Sequence, residues 1–587
     1  MKQFFKFMFA SMLGFLIGGF ILLFLAFGMI VSIASFSKET TVVKPNSVLH
    51  LKFEEPIPDR APKNPFTSPN FTGFSTSPGL NEILSNIEKA ARDENIQGIL
   101  LEPTFIPASL STLGEIREAL EQFSESGKFI VSYSENYFQT SYYLATVADK
   151  VYLNPEGMFA LQGLTARAVF LKGMLEKLDI EPQVISYGKY KSAADPFIYE
   201  KLTEANREQL KAYIDNAWQQ MLEKIAGARG LTIKEINNMA DAYAIEEAKD
   251  AFEHNLVDAL CYKDQLLLDL KQRLGVDEDD DVSFVELGKY LNAPVPREKS
   301  RRAKDKIAVI YAQGMIIPGE GEETSIGSER ISATIREARK DESVKAIVLR
   351  INSGGGSALA SDVILREVLL AKAEKPIVAS FGDVAASGGY YIACGADKII
   401  ATPSTITGSI GVISMIPNMQ KFFNNKLGIT FDHVKTNEFS DFIPFDRPMT
   451  AQEKKIMERM TDNVYEVFIT HVANGRNMTK EEVDKIGQGR IWIGTDALEI
   501  GLIDQLGGLN DAIELAAELA GIDDWRVTEL PEQKDFFTQL MEDLRGSGVK
   551  KAIKAEMGEY YTYYQYLKNA ASFHGVQARM PFEIEVY

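Results

Sequence analysis

The sequence predicts an α/β protein made of two tandem copies of one domain behind a single apolar helix. Three observations predict it. Residues Phe7 to Ser37 carry no charge and form a dense Leu/Ile/Phe/Gly run. After a Pro-, Ser- and Thr-containing stretch, Pro56 to Pro78, strand-like and helix-like patterns alternate, as α/β domains require. The chain then repeats itself at a nearly constant offset.

The N-terminal run is long enough to cross a bilayer and too long for the apolar part of a cleavable signal peptide. Lys2 and Lys6 precede it, so the positive-inside rule keeps them cytoplasmic and exports everything after Lys38. The expectation is an uncleaved single-pass anchor over residues 1–38 in the cytoplasmic (inner) membrane, with the body on its outer, periplasmic side. Cleavage near Ser32-Ile33-Ala34-Ser35 is the alternative, and it exports the body equally.

The repeat organises the rest. Arg92-Asp93-Glu94-Asn95-Ile96-Gln97-Gly98-Ile99-Leu100-Leu101 matches Lys340-Asp341-Glu342-Ser343-Val344-Lys345-Ala346-Ile347-Val348-Leu349 at an offset of 248. The same offset carries Tyr142-Tyr143-Leu144-Ala145 onto Tyr390-Tyr391-Ile392-Ala393, Pro155 onto Pro403 and Gly163 onto Gly411. It then drifts by a residue or two, pairing Leu256-Val257-Asp258 with Leu502-Ile503-Asp504. A first domain is expected over 46–296, a charged solvated linker over 297–306, a second domain over 307–525, and a C-terminal extension over 526–587. The aromatic run Glu559 to Tyr566 in that extension suits packing on a neighbouring subunit or a position near the membrane surface.

Composition narrows the function. The 587 residues include 45% hydrophobic residues, an ordinary globular content, and a formal charge of −19 argues against nucleic-acid binding. Two cysteines, Cys261 and Cys394, provide neither a disulfide framework nor a metal cluster, and Cys394 reads as a buried small residue. No metal and no cofactor is called for. The run Asp277 to Asp281 reads as a solvated loop rather than a calcium site.

The chemistry centres on Gly382-Asp383-Val384-Ala385-Ala386-Ser387-Gly388-Gly389, where a Val/Ile-rich strand hands over to an apolar helical pattern with one serine at the junction. A serine there suits a nucleophile, because small neighbours admit a carbonyl and helix-start amides stabilise negative charge. A second glycine turn, Asn352-Ser353-Gly354-Gly355-Gly356-Ser357, ends the preceding strand. Gly356 and Gly388 are the expected oxyanion N–H donors, the latter directly after the nucleophile. The second turn lacks the lysine of a phosphate-binding loop, which argues against ATP. The first half has lost this machinery, since Ser387 falls on Gln139 and Gly354, Gly355 and Gly356 fall on Ile106, Pro107 and Ala108. It holds Lys191, where the second half has Ser440 at an offset of 249. None of the five histidines lies in either glycine turn, so the base for Ser387 must be a lysine or a carboxylate. A lysine serves only when a dry site depresses its pKa from ~10.4 towards ~7–8.

Four blocks together resemble the signal peptide peptidase A family in its long, membrane-anchored form, serine–lysine peptidases of the Clp protease/crotonase fold superfamily. They are Asn352-Ser353-Gly354-Gly355-Gly356, Ala385-Ala386-Ser387-Gly388-Gly389-Tyr390-Tyr391, Pro403 through Gly411, and Tyr190-Lys191-Ser192-Ala193. Gly354 departs from the family's more frequent proline. The resemblance implies a duplicated Clp/crotonase-like fold and a Ser/Lys dyad, Ser387 as nucleophile and Lys191 as general base. It further implies cleavage of remnant signal peptides and other hydrophobic peptides at the outer face of the membrane, and a ring-shaped homo-oligomer such as a tetramer.

Alternatives stand beside these assignments. Ser409, in another glycine turn, is a second candidate nucleophile or a cleft-lining residue, and Lys189 is a second candidate base that would share a strand face with Lys191. Asp383 reads as a turn former or as an orienting group near Ser387. For the whole chain, a crotonase-like acyl-thioester enzyme and a non-catalytic membrane scaffold are the competing functions. Export from the cytoplasm argues against the first, and retention of Ser387, Gly356 and Lys191 argues against the second.

Overall fold

A computed structural model describes residues 41–61, 78–294, 303–533, 576–580 and 585–586, with helical residues in broken stretches between 3 and 24. Among the described residues no helix is long and apolar enough to cross a membrane. The anchor expected over 1–38 falls largely outside the described residues. So do most of the linker and the aromatic run of the extension.

Each half is built on its own mostly parallel sheet. In the first, the spatial order is Ala259–Leu260, Lys150–Phe159, Phe129–Tyr137, Ile96–Leu101, Ser47–Leu51 and Phe284–Glu286, with every neighbour parallel. In the second, it is Ile491–Ile493, Ile406–Gly408, Ile377–Ala386, Val344–Ser353, Lys306–Gln313 and Arg526–Leu530. Only the pairing of Ile406–Gly408 with Ile491–Ile493 is antiparallel there. The central strands Ile96–Leu101 and Val344–Ser353 are the most apolar and almost wholly buried, as strands covered on both faces are. Along Lys306–Gln313, Ile307, Val309 and Tyr311 enter one apolar cluster while Ala308, Ile310 and Ala312 enter the other, the two-residue alternation of a strand.

The repeat persists at the level of caps. Helices Leu110–Ser124 and Ala358–Lys372 lie 248 residues apart, and each is capped by a serine, Ser109 or Ser357, accepting from the third amide along. The long helices Glu204–Arg229 and Ala451–Arg476 start from Thr203 and Thr450 and end at left-handed Gly230 and Asn477. Tyr142 and Tyr390 donate their hydroxyls to the carbonyls of Leu256 and Leu502, at 2.5 and 2.7 Å.

Two expectations need correction. The second domain does not end at 525, because Arg526–Leu530 forms the edge strand of its sheet, paired with Lys306–Gln313. Lys189 and Lys191 do not share a strand, since the strand Glu181–Tyr187 ends before Gly188, whose φ of 114° turns the chain out of the ladder.

A third, mixed sheet joins the halves. Its order is Ser325–Gly327, Met315–Ile317, Gly355–Ser357, Gln577–Arg579, Val412–Asn418 and Glu181–Tyr187. The first half contributes Glu181–Tyr187, antiparallel to Val412–Asn418 of the second, and the extension contributes Gln577–Arg579.

Candidate active site

Ser387 stands where the parallel strand Ile377–Ala386 gives way to the short helix Gly388–Ala393. Its backbone sits at φ 55°, ψ −114°, a conformation that costs a non-glycine residue about 1–3 kcal/mol. Surrounding structure holds it there: its amide donates to the Gly408 carbonyl at 2.8 Å and its carbonyl accepts from the Tyr391 amide at 2.8 Å. The result is a fully buried hydroxyl on a rigid elbow.

The cross-half sheet brings the first half's turn onto this elbow. Just past Glu181–Tyr187, Tyr190 donates its amide to the Gln488 carbonyl at 2.8 Å, and the backbone at Gly489 passes so close that a Cβ there would lie 2.6 Å from the Lys191 Cα. Gln209, on the long first-half helix, donates to the Tyr190 carbonyl at 3.2 Å and accepts from the Ile491 amide at 3.1 Å. Lys191 is thereby driven inward, 4% exposed, and its Nζ lies 2.7 Å from Ser387 Oγ.

Two further contacts of 3.0 Å run from Lys191 Nζ to the carbonyl oxygen and the hydroxyl of Ser409. A neutral amine has two hydrogens and one lone pair, so these partners match it: the hydrogens go to Ser409 and the lone pair is left to accept from Ser387. Burial alone pushes the Lys191 pKa well below the ordinary lysine range. Among the described residues, the ionisable side chain in hydrogen-bond contact with Ser387 Oγ is Lys191.

The remaining candidates separate clearly. Gly355 and Gly388 touch, for a Cβ on Gly355 would come within 2.7 Å of the Gly388 nitrogen, so the two glycine turns do converge beside Ser387. Lys189 is exposed, with its ammonium over the Tyr190 ring 4.8 Å from the centroid. Ser409 joins the site through Lys191 and, among the described residues, shows no contact with a second base. Cys394 is buried, its thiol pushed up to about 12, and is no nucleophile at neutral pH. His50, His433 and His471 pair with Glu102, Asp446 and Asp362 elsewhere.

Asp383 does not orient Ser387. It accepts from Thr112 Oγ1 at 2.7 Å and from Ser109, at the start of a first-half helix. Deeper in the same interface, Arg350 of the second half donates to Asp59 at 2.8 Å and Glu115 at 2.5 Å, both first-half carboxylates, and all three side chains are buried. Asp59, Glu115, Arg350, Gln209 and Gly489 are residues that sequence reasoning missed. Arg350 in an otherwise apolar strand was the one readable signal.

The fold and the site define a serine hydrolase with a buried lysine from the other half of the chain beside its serine. The model of peptidase family S49 matches residues 122–277 and 370–523, once in each half. "Protease 4" of Salmonella typhi is 35% identical over 481 residues, covering 80% of this chain and 76% of that protein. "Serine protease SPPA, chloroplastic" of Arabidopsis thaliana is 34% identical, covering 86% and 75%. "Putative signal peptide peptidase SppA" of Enterococcus faecium is 34% identical over 218 residues, covering 36% of this chain and 63% of that protein. The chain belongs to peptidase family S49 and is a serine peptidase.

Proposed function

We propose that the chain is a membrane-anchored endopeptidase acting on hydrophobic peptides, remnant signal peptides among them, with Ser387 as nucleophile and Lys191 as general base. The observation that carries this reading is the 2.7 Å contact between a buried, depressed lysine and a strained, buried serine. Neutral Lys191 takes the Ser387 proton as the oxygen attacks a peptide carbonyl. The N–H groups of Gly356 and Gly388 stabilise the oxyanion, and the protonated lysine then returns its proton to the leaving amine. The acyl-enzyme is hydrolysed by a water that the same lysine deprotonates. The name of the Enterococcus faecium relative supports signal peptides as substrates. The charge-free run after Lys2 and Lys6 supports an anchor over 1–38 and a body outside the cytoplasmic membrane. Parallel strands joined through helices in each half, with glycine turns at the strand ends of the second, support a Clp/crotonase-type fold.

A ring of chains is part of the proposal. Val412–Asn418 of the second half receives Glu181–Tyr187 of the first. At the repeat offset, the equivalent first-half segment is 164–170, where only Ala166–Arg167 is a strand, and the equivalent of Glu181–Tyr187 lies within 428–436, exposed and without a strand. One chain thus makes one of two equivalent junctions. A neighbour completing the second gives a head-to-tail contact, the kind that closes rings.

Hydrolysis of a short apolar peptide ester, with and without a serine-acylating reagent, tests the chemistry. Turnover that the reagent abolishes, with label on Ser387, is expected. Turnover that survives complete labelling of Ser387 overturns the assignment.

A further inference from the structure

The strand that delivers Ser387 slips out of step with its neighbour just before the site. Val344–Ser353 and Ile377–Ala386 pair in parallel from Ile347 opposite Ile377 to Ile351 opposite Phe381, and the pairing resumes at Ser353 opposite Ala385. Asn352 is left facing Gly382, Asp383 and Val384, a bulge of two extra residues. That offset sets how the two glycine turns meet, because Ser353 and its turn follow Asn352 while Ser387 and Gly388 follow the bulge.

Backbone taken out of a ladder needs other partners, and side chains supply them here. Asn352 Oδ1 accepts from the Val384 amide at 3.3 Å. The Gly382 carbonyl accepts from Thr405 Oγ1 at 2.8 Å and from Ser111 Oγ of the first half at 3.0 Å. The Asp383 carboxylate receives the first-half hydroxyls of Ser109 and Thr112.

The first half grips the neighbouring strand too. Arg350 and Asn352 share one face of Val344–Ser353, and a single buried first-half carboxylate binds both. Asp59 Oδ1 accepts from Arg350 Nε at 2.8 Å, and Oδ2 accepts from Asn352 Nδ2 at 3.0 Å. Arg350 also donates to the carbonyl of Phe381, the last paired residue before the bulge, at 3.1 Å. In the first half, which lacks the serine, Asn352 and Asp383 fall at the repeat offset on Thr104 and Glu135, both exposed. The clamp belongs to the copy that carries the nucleophile.

We propose that Asn352 is a positioning residue for the oxyanion hole, and that the first half, through Asp59, Ser109, Ser111 and Thr112, fixes the strand offset that brings the Gly356 and Gly388 amides together beside Ser387. The first half then has two duties, supplying Lys191 and assembling the hole. This rests on the roles given above to Ser387, Gly356 and Gly388. The clamp acts through the backbone of the two turns rather than on the reacting atoms. Those turns touch, for a Cβ on Gly389 would lie 2.6 Å from the Ser353 carbonyl oxygen, so a slip of one strand against the other reaches the amides undamped.

The test compares wild type with Asn352→Ala and the near-isosteric Thr112→Val. Active sites are counted with a serine-acylating reagent, ester hydrolysis per titrated site is followed against pH, and inhibition by a peptide aldehyde, whose hemiacetal oxygen occupies the hole, is measured alongside. Asn352→Ala is expected to lower kcat per site by about 10–100-fold with KM held within about twofold, and to weaken the aldehyde by a similar factor. The pH limb set by Lys191 should stay in place. Thr112→Val should lower kcat and aldehyde affinity together by about two- to fivefold. A merely structural role would lower the thermal midpoint or the number of titratable sites and leave the per-site values alone. Unchanged per-site values in Asn352→Ala, a loss confined to KM, or a displaced pH limb overturns the positioning role while the peptidase reading stands. Unchanged values in Thr112→Val overturn the part given to the first half, and they decide the whole proposal should Asn352→Ala not fold. Wild type that the reagent does not label at Ser387 overturns the underlying assignment, and this proposal with it.

Discussion

In the second half the chain leaves its central strand through Ser387 at φ 55°, ψ −114°, whereas the first half leaves Phe129–Tyr137 through Phe138 at φ −88°, ψ 155° and enters its helix at Gln139. The same fold makes a strained elbow in one copy and an ordinary extended N-cap in the other. Gln139 fills the vacated position with bonds to its own half: its amide donates to the Gly163 carbonyl at 2.6 Å, and its oxygen accepts from the amides of Gln162 and Gly163 at 3.0 and 3.1 Å. The polar contacts that hold the architecture survive in both copies. Arg229 pairs with Asp258 at 2.9 Å and Arg476 with Asp504 at 2.7 Å. Strain and an inward-facing catalytic group are retained only where chemistry needs them, which is the pattern expected when a duplicated site is relieved of function.

The sharpest way to break this comparison is to remove one partner from each half. Ser387→Ala and Lys191→Ala should each lower ester hydrolysis by about 10⁴-fold, with the double variant no worse, because the two act as one unit. Additive losses, measured as kcat/KM, would show that they do not share a step. Lys191→Met should also raise the thermal midpoint. The lysine's folded pKa lies below its unfolded value, so between those two values the unfolded chain binds more protons, and stability is lost as pH falls through that window. For the same reason activity should rise with pH through an apparent pKa well under that of free lysine; a flat profile with chemistry rate-limiting argues for a different base.

Next in size is the seam between halves. Arg350→Ala leaves Asp59 and Glu115 buried without their cation and should cost about 3–5 kcal/mol in denaturant unfolding. An effect under about 1 kcal/mol would mean that the halves dock by apolar contact alone.

A smaller effect is expected at Ser409. Ser409→Ala removes one of the two groups that accept N–H bonds from Lys191, so kcat should fall by about tenfold while KM holds. Because that hydroxyl favours the ammonium form, its loss should move the pH limb to lower pH. Movement to higher pH would contradict the assigned contact. Smallest of all, Lys189→Ala should change hydrolysis by less than about twofold, since its ammonium lies over Tyr190 at the surface. Loss of activity there would transfer the base role.

Much of this protein was legible in one dimension because its signals are local. Duplication follows from a constant offset, strands and caps from periodicity and short-range hydrogen bonding, and the candidate nucleophile from a serine among glycines at a strand end. The absence of histidine from both glycine turns left lysine or carboxylate as the base. That Ser387 and Lys191 came from different halves followed from what each copy had lost. What tertiary structure decided is how they meet. Lys191 faces inward because Gln488 and Gly489 grip its turn from about 300 positions away, and because Gln209 ties that turn to Ile491 across the seam, contacts that no local pattern encodes. Asp383 became a clamp on Ser109 and Thr112 rather than an orienting acid, and Ser409 became a partner of the lysine rather than its rival serine. A sequence states which side chains are available at each turn; which of them share a few ångströms is set by packing between distant segments, where burial also supplies the low-dielectric surroundings that make a lysine a base.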